Sequence, residues 1–316
     1  MKKNNISIVI INWNGKDHTL KLLESIKKLN YESKCLEIIC VDNGSDDGSV
    51  DAIKKFYNNL EKNKWRGLRL ISFKKNMGVT KAYNAGYKKA KNFEYLWKLD
   101  NDLILEKNSL NKLVEKFEQN KQVGIVGSAV FPLYSYTNLK ENYKGKAEIG
   151  CKIDFLTTGV FKKEMSYKEL KSIKNNIYQD ITYSIGCSNL IKKKVLDKIG
   201  FLDEDFFLYY DDSYFSYKTK KAGFKLITAT DSIVFHKGSA STGGIMKPLG
   251  IYFTTLSELL FFRKTIKMPL FIIYYPFIFI KRFILTIYRL IVQKDIKMLF
   301  EGIGKFFSAN FKFLFL

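Results

Sequence analysis

Segments suited to buried strands alternate with segments suited to helices along the first 120 residues of this 316-residue chain. The strand segments are short hydrophobic runs rich in β-branched residues, such as SIVIIN at 7–12. The helical segments repeat apolar residues at helical spacing, as Leu20, Leu23 and Ile26 do. This order predicts an α/β fold with a mostly parallel sheet and helices on both faces. The predicted strands are 7–12, 36–43, 68–73 and 95–99, and the predicted helices are 16–30, 46–60, 79–91 and 107–120.

Polar side chains stand at or just beyond the carboxyl ends of the predicted strands. In sheets of this class, ligands bind outside the carboxyl ends of the strands. We therefore expect a binding site at this edge of the sheet. The residues that meet there are Asn12, Asn14, Asp42, Asn43, Asp100 and Asp102.

Asp100 and Asp102 flank one residue directly after the predicted strand 95–99. Turn chemistry alone explains such a pair, because Asp and Asn form Asx-turns and cap helices. A divalent cation held by hard carboxylate oxygens explains it as well. The first strand-to-helix turn, NWNGKDHT, has a single glycine and matches neither the dinucleotide-binding loop nor the P-loop. Phosphate charge would then need another counter-charge, which favours the metal.

The formal net charge of +22 invites comparison with nucleic-acid-binding proteins. The lysines are spread over most predicted helices, however, and no helix-turn-helix, RRM or zinc-finger pattern is visible. This favours solvated faces, or attraction to an anionic membrane surface or substrate, over nucleic acid. Four scattered cysteines and two histidines do not predict a zinc site. The short N-terminal apolar run and the scattered thiols lead us to expect no signal peptide and a reducing cytosol.

The chain changes character after residue 244. Residues 245–316 carry 11 Lys and Arg against 3 Asp and Glu, together with many Phe, Tyr, Ile and Leu residues. The apolar run at 268–280 is shorter than the roughly 20 residues that span a bilayer, and Lys281 and Arg282 follow it. We therefore predict a helical, membrane-associating region at 245–316, lying at the interface with these cations at the headgroups. A helical pair packed on the main domain is the alternative.

Five sequence segments between about residues 6 and 242 form an ordered set. They are SIVIINWNGKDHTLKLLESI, EIICVDNGSDDGSV, NMGVTKAYNAGY, WKLDND and GCSNLIKKKVLDKIGFLDEDFFLYYDDSYFSYKTKKAGFKLITATDSIVFHKGSAS. The set resembles the family 2 glycosyltransferases of the GT-A fold, and within them the group that includes bacterial rhamnosyltransferase-like enzymes. The basic, apolar region after residue 244 resembles the membrane-proximal C-terminus of that group. The resemblance implies a Rossmann-like GT-A nucleotide-sugar-binding domain at 1–244.

The resemblance assigns residues to nucleotide-sugar binding. Asp42 matches the acid that bonds the base, and a carboxylate there can accept the imide N–H of uracil or thymine. Gly78 and Asn84 match the loop and helix that close over the nucleotide, and Asp100 faces the ribose or the metal. The full set is Asn12, Asn14, Asp42, Asn43, Gly78, Asn84 and Asp100.

A divalent metal, Mg²⁺ or Mn²⁺, is also implied by the resemblance. Asp100 and Asp102 match the DXD motif, in which Asp102 binds the metal. His236 matches a third ligand, since a neutral imidazole can complete the coordination shell. A core histidine in a strand is the structural alternative for His236.

Asp211 and Asp212 match the acidic motif that supplies the catalytic base. The family often has Glu-Asp at these positions, so Asp211 departs from the pattern and Asp212 is the expected base. Acids at a helix N-terminus also complement the macrodipole, so a purely structural role is the alternative. Adjacent like charges raise one pKa, which suits a base.

The resemblance as a whole implies an inverting transfer of a sugar from a UDP- or dTDP-sugar to a hydroxyl of a glycan or lipid-linked glycan. We expect this at the cytoplasmic face of the cell membrane, in the assembly of a surface polysaccharide or glycoconjugate. Two other classes remain open from the sequence: a non-catalytic sugar-nucleotide-binding scaffold at the membrane, and a basic nucleic-acid-binding protein. A processive synthase is the alternative among enzymes, but no Q-x-x-R-W-type motif is present.

Overall fold

Strands and helices alternate through the first 120 residues, as predicted. The computed structural model describes residues 3–136, 143–155, 157–200, 202–238, 247–292 and 296–315. The first elements are β1 (Ile6–Asn12), α1 (Lys16–Lys27), β2 (Leu36–Asp42), α2 (Ser49–Asn58), β3 (Gly67–Ser72), α3 (Val79–Lys89), β4 (Tyr95–Asp100), β5 (Leu103–Leu105) and α4 (Ser109–Gln119).

β3, β2, β1 and β4 lie side by side in that order, all parallel. Successive side chains of a strand point to opposite faces, so a strand covered on both faces needs a continuous apolar run. In β1, Ile8 and Ile10 pack in one cluster with Leu22 of α1. Val9 packs in the other cluster, with Tyr83 of α3. This two-sided burial explains the uninterrupted SIVII run.

The second half of the domain adds antiparallel strands. β10 pairs antiparallel with β4 and with β6, and β11 pairs parallel with β6 and antiparallel with β5. The sheet is therefore mixed, with a parallel half formed by β3, β2, β1 and β4. The elements are β6 (Val123–Pro132), β7 (Lys146–Asp154), β8 (Gly159–Ser166), α5 (Tyr167–Ser172), β9 (Ile177–Tyr178), β10 (Ser188–Lys192), α6 (Lys193–Ile199), α7 (Asp211–Lys221) and β11 (Lys225–His236).

One strand, β11, lies within residues 225–242, KLITATDSIVFHKGSAST, a segment for which the sequence predicts a pair of strands ending in a Gly/Ser loop. The polar residues after Ala229 form an irregularity, since the register of β11 against β6 shifts between Ala229 and Ile233. Within it, the buried Ser232 hydroxyl donates to the Ser109 carbonyl at 3.0 Å. The prediction was wrong because buried polar residues with partners can remain in a strand. The predicted Gly/Ser loop, from residue 239, lies outside the described residues.

Three helices follow β11 within the described residues, and they pack against the domain and one another. They are α8 (Pro248–Thr265), α9 (Met268–Val292) and α10 (Ile296–Leu314). Phe261 and Phe262 of α8 are buried in a cluster that contains Phe206, from the segment before α7. The boundary at 244 stays a prediction, but α8 contributes to the core on which α7 rests.

Lys281 and Arg282 lie inside this helical assembly, which corrects our prediction that they reach headgroups. Lys281 Nζ is 3.2 Å from Glu258 Oε1, and it also donates to the Thr158 carbonyl at 2.6 Å. Arg282 Nε is 3.1 Å from Glu258 Oε2, at ion-pair distance. Glu258 of α8 is buried, so both cations turn inward to satisfy it.

α9 also continues past these two cations, although we expected them to end its apolar run. Within the described part of the chain, Met268–Tyr288 is the one stretch long and apolar enough to cross a membrane, by length and composition alone. The outer side chains of α9 form an exposed stripe at helical spacing, namely Ile273, Phe277, Ile280, Ile284, Tyr288 and Ile291. The length argument against a span therefore does not hold.

Candidate active site

The carboxyl ends of β1 and β2 bring Asn12 and Asp42 side by side. The two residues are partners in the parallel register, and both are buried. Asn12 Nδ2 donates to Asp42 Oδ1 at 2.8 Å, and the other Asp42 oxygen accepts from the backbone N–H of Ser45 at 3.0 Å. These bonds fix the orientation of the carboxylate at the sheet edge, where we predicted base recognition.

Asn101, the middle residue of the DND motif, joins this network. Its Nδ2 donates to Asn12 Oδ1 and to Thr19 Oγ1, each at 3.1 Å. A Cβ on Gly15 would lie 2.3 Å from Asn101 Nδ2, so the lone glycine of the first turn leaves space for this side chain. We had not predicted a role for Asn101. The sequence signal for such a role was an amide side chain between two acids.

The loop before α3 is organised by Asn43. Its Oδ1 accepts from the Met77 N–H at 2.9 Å, and its Nδ2 donates to Asn76 Oδ1 at 2.9 Å. Gly78 follows with a φ of +86°, and a Cβ there would lie 2.7 Å from the Phe207 ring. Both features require glycine at 78.

Two further residues predicted to bind the nucleotide, Asn14 and Asn84, have identified local contacts. Asn14, exposed and in the left-handed region at a φ of 49°, accepts from the Asp46 N–H at 2.9 Å. Asn84 is buried, and its amide bonds the backbone of Leu202 and the carboxylate of Glu204. Asn84 thus ties α3 to the segment that leads to α7, and its contact with nucleotide stays a prediction.

Asp100, Asp102 and His236 come together at the end of β4 and the end of β11. Their ligand atoms all lie within 4.8 Å of one another. The pairing of β5 with β11 explains the meeting, because it places His236 opposite Leu103. His236 Nε2 is 3.0 Å from Asp102 Oδ1. Two carboxylates and an imidazole form a donor set that suits Mn²⁺ or Mg²⁺.

The charges of Asp102 and His236 support each other in this geometry. Burial opposes ionisation of Asp102, but the hydrogen bond and charge of His236, together with a backbone hydrogen bond and the charge of His18, outweigh burial and lower the pKa of the Asp102 carboxyl. Burial likewise disfavours the charged His236 imidazole, but Cys187 and Asp102 outweigh burial and raise the pKa of His236. A metal would have to displace this imidazole proton, so metal binding should weaken in acid.

Lys98 is a buried cation that we did not predict. It lies on β4, and its Nζ donates to the Gly186 carbonyl at 2.8 Å. The same Nζ lies 3.9 Å from Asp100 Oδ1 and 4.2 Å from the centroid of the Tyr83 ring. The sequence signal for this role was a lysine inside the buried run YLWKLD, because a buried charge requires partners.

Asp211 and Asp212 begin α7 and face this cation. The two residues before them, Tyr209 and Tyr210, are both left-handed, at φ values of 67° and 60°. Asp212 Oδ2 accepts from the Gly186 N–H at 3.0 Å, and its Oδ1 accepts from the Ser213 N–H at 2.7 Å. Lys98 and Asp212 therefore bind the carbonyl and the N–H of the same residue, Gly186.

Burial raises the pKa of both Asp211 and Asp212, and the charge of Lys98 opposes that rise. For Asp211, the carboxylates of Asp212 and Asp100 raise it further. A carboxylate with an elevated pKa is a stronger proton acceptor than a solvated one. The edge of the sheet thus combines a proton acceptor, a candidate cation site and the Asp42 network.

Comparison with known proteins agrees with this fold. Residues 7–200 match the sequence profile of glycosyl transferase family 2. A poly-β-1,6-N-acetyl-D-glucosamine synthase of Staphylococcus epidermidis is 28% identical over 121 residues, which is 38% of this chain and 27% of the synthase. The chain therefore matches only about a quarter of that relative's length.

Two further proteins extend the comparison. An uncharacterized glycosyltransferase of Haemophilus influenzae is 27% identical over 199 residues, covering 60% of this chain and 74% of that protein. The mannosyltransferase PcManGT from Pyrobaculum calidifontis, solved with GDP-Man and Mn²⁺, superposes with a TM-score of 0.60 at 15% identity. That superposition covers 98% of this chain and 76% of the other, and it shows the fold. The match over residues 7–200 covers more than half of the chain, and the chain belongs to glycosyl transferase family 2.

Proposed function

We propose that this protein transfers a sugar from a nucleoside-diphosphate donor, UDP- or dTDP-linked, to a hydroxyl of a glycan, with inversion. The observation that carries the proposal is the convergence of Asp100, Asp102 and His236 beside Asp211 and Asp212. A cation ligand set and a proton acceptor at one edge are what the reaction needs. Asp42 lies at the same edge of the sheet. It supports binding of a nucleotide base at that edge, because its fixed carboxylate can accept an imide N–H.

The acid pair supplies the proton acceptor in this proposal. Asp212 takes the proton of the acceptor hydroxyl as its oxygen attacks the anomeric carbon. The bond from that carbon to the diphosphate oxygen breaks, and the nucleoside diphosphate leaves. Bonds from Gly186 and Ser213 hold the Asp212 carboxylate in place, and the charge of Lys98 favours the ionised form of the pair. Asp100, Asp102 and His236 would hold a divalent metal, which neutralises charge on the leaving diphosphate.

The acceptor in this proposal is a growing or lipid-linked polysaccharide at the cell envelope. The staphylococcal relative named as a polysaccharide synthase supports it. The subgroup of rhamnosyltransferase-like enzymes belongs to the same proposal, with the sugar itself left open.

The outer surface of the C-terminal helices supports a peripheral position at the membrane. On α10, Phe300, Phe307 and Phe311 are exposed and share one face. Lys305 and Lys312 are exposed on the adjoining face, about 130° further round the helix. An apolar stripe beside a lysine stripe suits an anionic headgroup boundary. We place this surface at the cytoplasmic leaflet, where a polyprenyl-linked acceptor would be presented.

A donor screen tests the proposed activity. The purified chain is incubated with UDP-, dTDP- and GDP-sugars, with and without Mn²⁺, and release of nucleoside diphosphate is measured. We expect metal-dependent release from one donor, abolished in Asp102→Ala and retained in a control, Asp51→Ala, on the exposed face of α2. Binding without release, even with acceptor extract, would instead identify a non-catalytic scaffold. Salt-sensitive binding to RNA or DNA without nucleotide-sugar binding would identify the nucleic-acid alternative.

A further inference from the structure

Lys237 and His18 meet beside the candidate metal site, although 219 positions separate them in sequence. Lys237 Nζ lies 3.0 Å from His18 Nε2. The backbone N–H of Lys237 donates to the carbonyl of Asp102 at 3.2 Å. The pair is therefore attached to the DND turn on one side and to the first turn of α1 on the other.

The positive charge of Lys237 is not matched by an acid of its own. Lys237 is exposed, and no carboxylate of the residues described comes within 4.0 Å of its ammonium. The charges that act on His18 are those of Lys237, Asp102, Lys21 and Asp17, so two cations and two carboxylates surround it. Lys237 is thus an exposed cation that a neutral acceptor holds beside the buried Asp102, and it is oriented without being neutralised.

We propose that Lys237 and His18 form a phosphate-binding pair that receives the diphosphate of the donor. This rests on the proposed function. An ammonium has three donor hydrogens, so Lys237 can keep its bond to His18 and donate to a phosphate oxygen. Asp100 and Asp102 would otherwise repel an approaching diphosphate, and Lys237 supplies a fixed protein charge that opposes this repulsion. His18 acts by holding the flexible lysine stem toward the site.

A phosphate ester can come from two sources at this edge: the nucleotide donor or a prenyl-phosphate acceptor. The attachment of Lys237 to the Asp102 carbonyl places the pair on the donor side, next to the ligands for the metal. The donor diphosphate is therefore the source that we assign, and the experiment separates it from the other.

The experiment measures the affinity of the full chain for UDP, uridine and farnesyl phosphate, by calorimetry with Mn²⁺ present. dTDP and thymidine are the second probe pair. Lys237→Ala should weaken diphosphate binding about tenfold to a hundredfold, as expected for a charged hydrogen bond, and leave nucleoside and farnesyl phosphate affinities unchanged. Lys237→Arg should restore most of the loss, and His18→Ala should show a smaller loss in the same direction. Lys54→Ala, an exposed lysine on α2, is the matched control.

Each result decides one question. Wild-type protein that binds neither diphosphate contradicts the proposed function itself. Wild-type binding with equal diphosphate affinity in Lys237→Ala overturns the phosphate pair and leaves the proposed function standing. A loss confined to farnesyl phosphate overturns the assignment to the donor.

Discussion

Replacing Glu258 by Gln tests how the C-terminal helices are held to the α/β part of the chain. Glu258 is 2% exposed, and its two carboxylate oxygens lie 3.2 Å from Lys281 Nζ and 3.1 Å from Arg282 Nε. Removing one partner of a buried ion pair costs about 3–5 kcal/mol, because the other charge stays buried. Arg282 is the cation left in that state, while Lys281 retains its bonds to Thr158. We therefore expect the lower end, about 3 kcal/mol.

Urea denaturation measures this loss, and hydrogen exchange along α9 locates it. The matched control is Asp203→Asn, because Asp203 is a partly exposed acid paired with Lys264. Lys264 keeps Asp205 at 2.7 Å, so the control should change stability by less than about 1 kcal/mol. Equal stability of Glu258→Gln and the control, with unchanged exchange in α9, would refute the buried ion cluster as the attachment.

Three more outcomes follow from the acid pair and the tail. Asp212→Asn should keep donor binding and lose transfer by about 10²–10⁴-fold in initial-rate assays, and the opposite ranking with Asp211→Asn would exchange their roles. The charge of Lys98 lowers the pKa of Asp211 and Asp212, so Lys98→Met should raise the pKa of these acids and move the acid limb of the pH–rate profile to higher pH. An acid limb at the same pH in this variant would contradict the role of Lys98. The full chain should sediment with anionic vesicles and be released by high salt, whereas a chain ending after Thr265 should not; sedimentation of both would remove α9 and α10 as the binding surface.

The parallel half of the fold was predictable because its signals are local. Each strand there is an apolar run and each helix an amphipathic repeat, so β1 to β4 and α1 to α4 agree with prediction to within a few residues, whereas the three-residue strand β5 was not predicted. The single strand β11 was not predictable from the sequence, because its buried polar residues find partners, such as the Ser109 carbonyl, only in the folded sheet. A pairing between distant segments leaves no periodic trace in either one.

The residues of the candidate site were also predictable only where their sequence signal is local. The DND motif and His236 carry residue types that suit a metal, and the structure brings their ligand atoms together. Lys98 and Asn101 were missed, because a buried polar group becomes meaningful only once its partners are known. Lys281 and Arg282 were misassigned for the converse reason. Their charge suggested contact with lipid headgroups, but in the structure both form ion pairs with Glu258 on another helix.

Binding of Mn²⁺, followed by the electron paramagnetic resonance signal of the free ion during titration, tests the metal site directly. The wild-type chain should bind about one Mn²⁺, and UDP or dTDP should tighten that binding, because the diphosphate adds ligands to an ion already held by Asp100, Asp102 and His236. Asp102→Asn should lose this binding, and His236→Gln should weaken it less. Acidification should weaken it in the wild type, because the metal must displace the proton that His236 holds. Mn²⁺ binding that is the same in all three proteins, with or without nucleotide, would contradict a metal-dependent donor site at the end of β4.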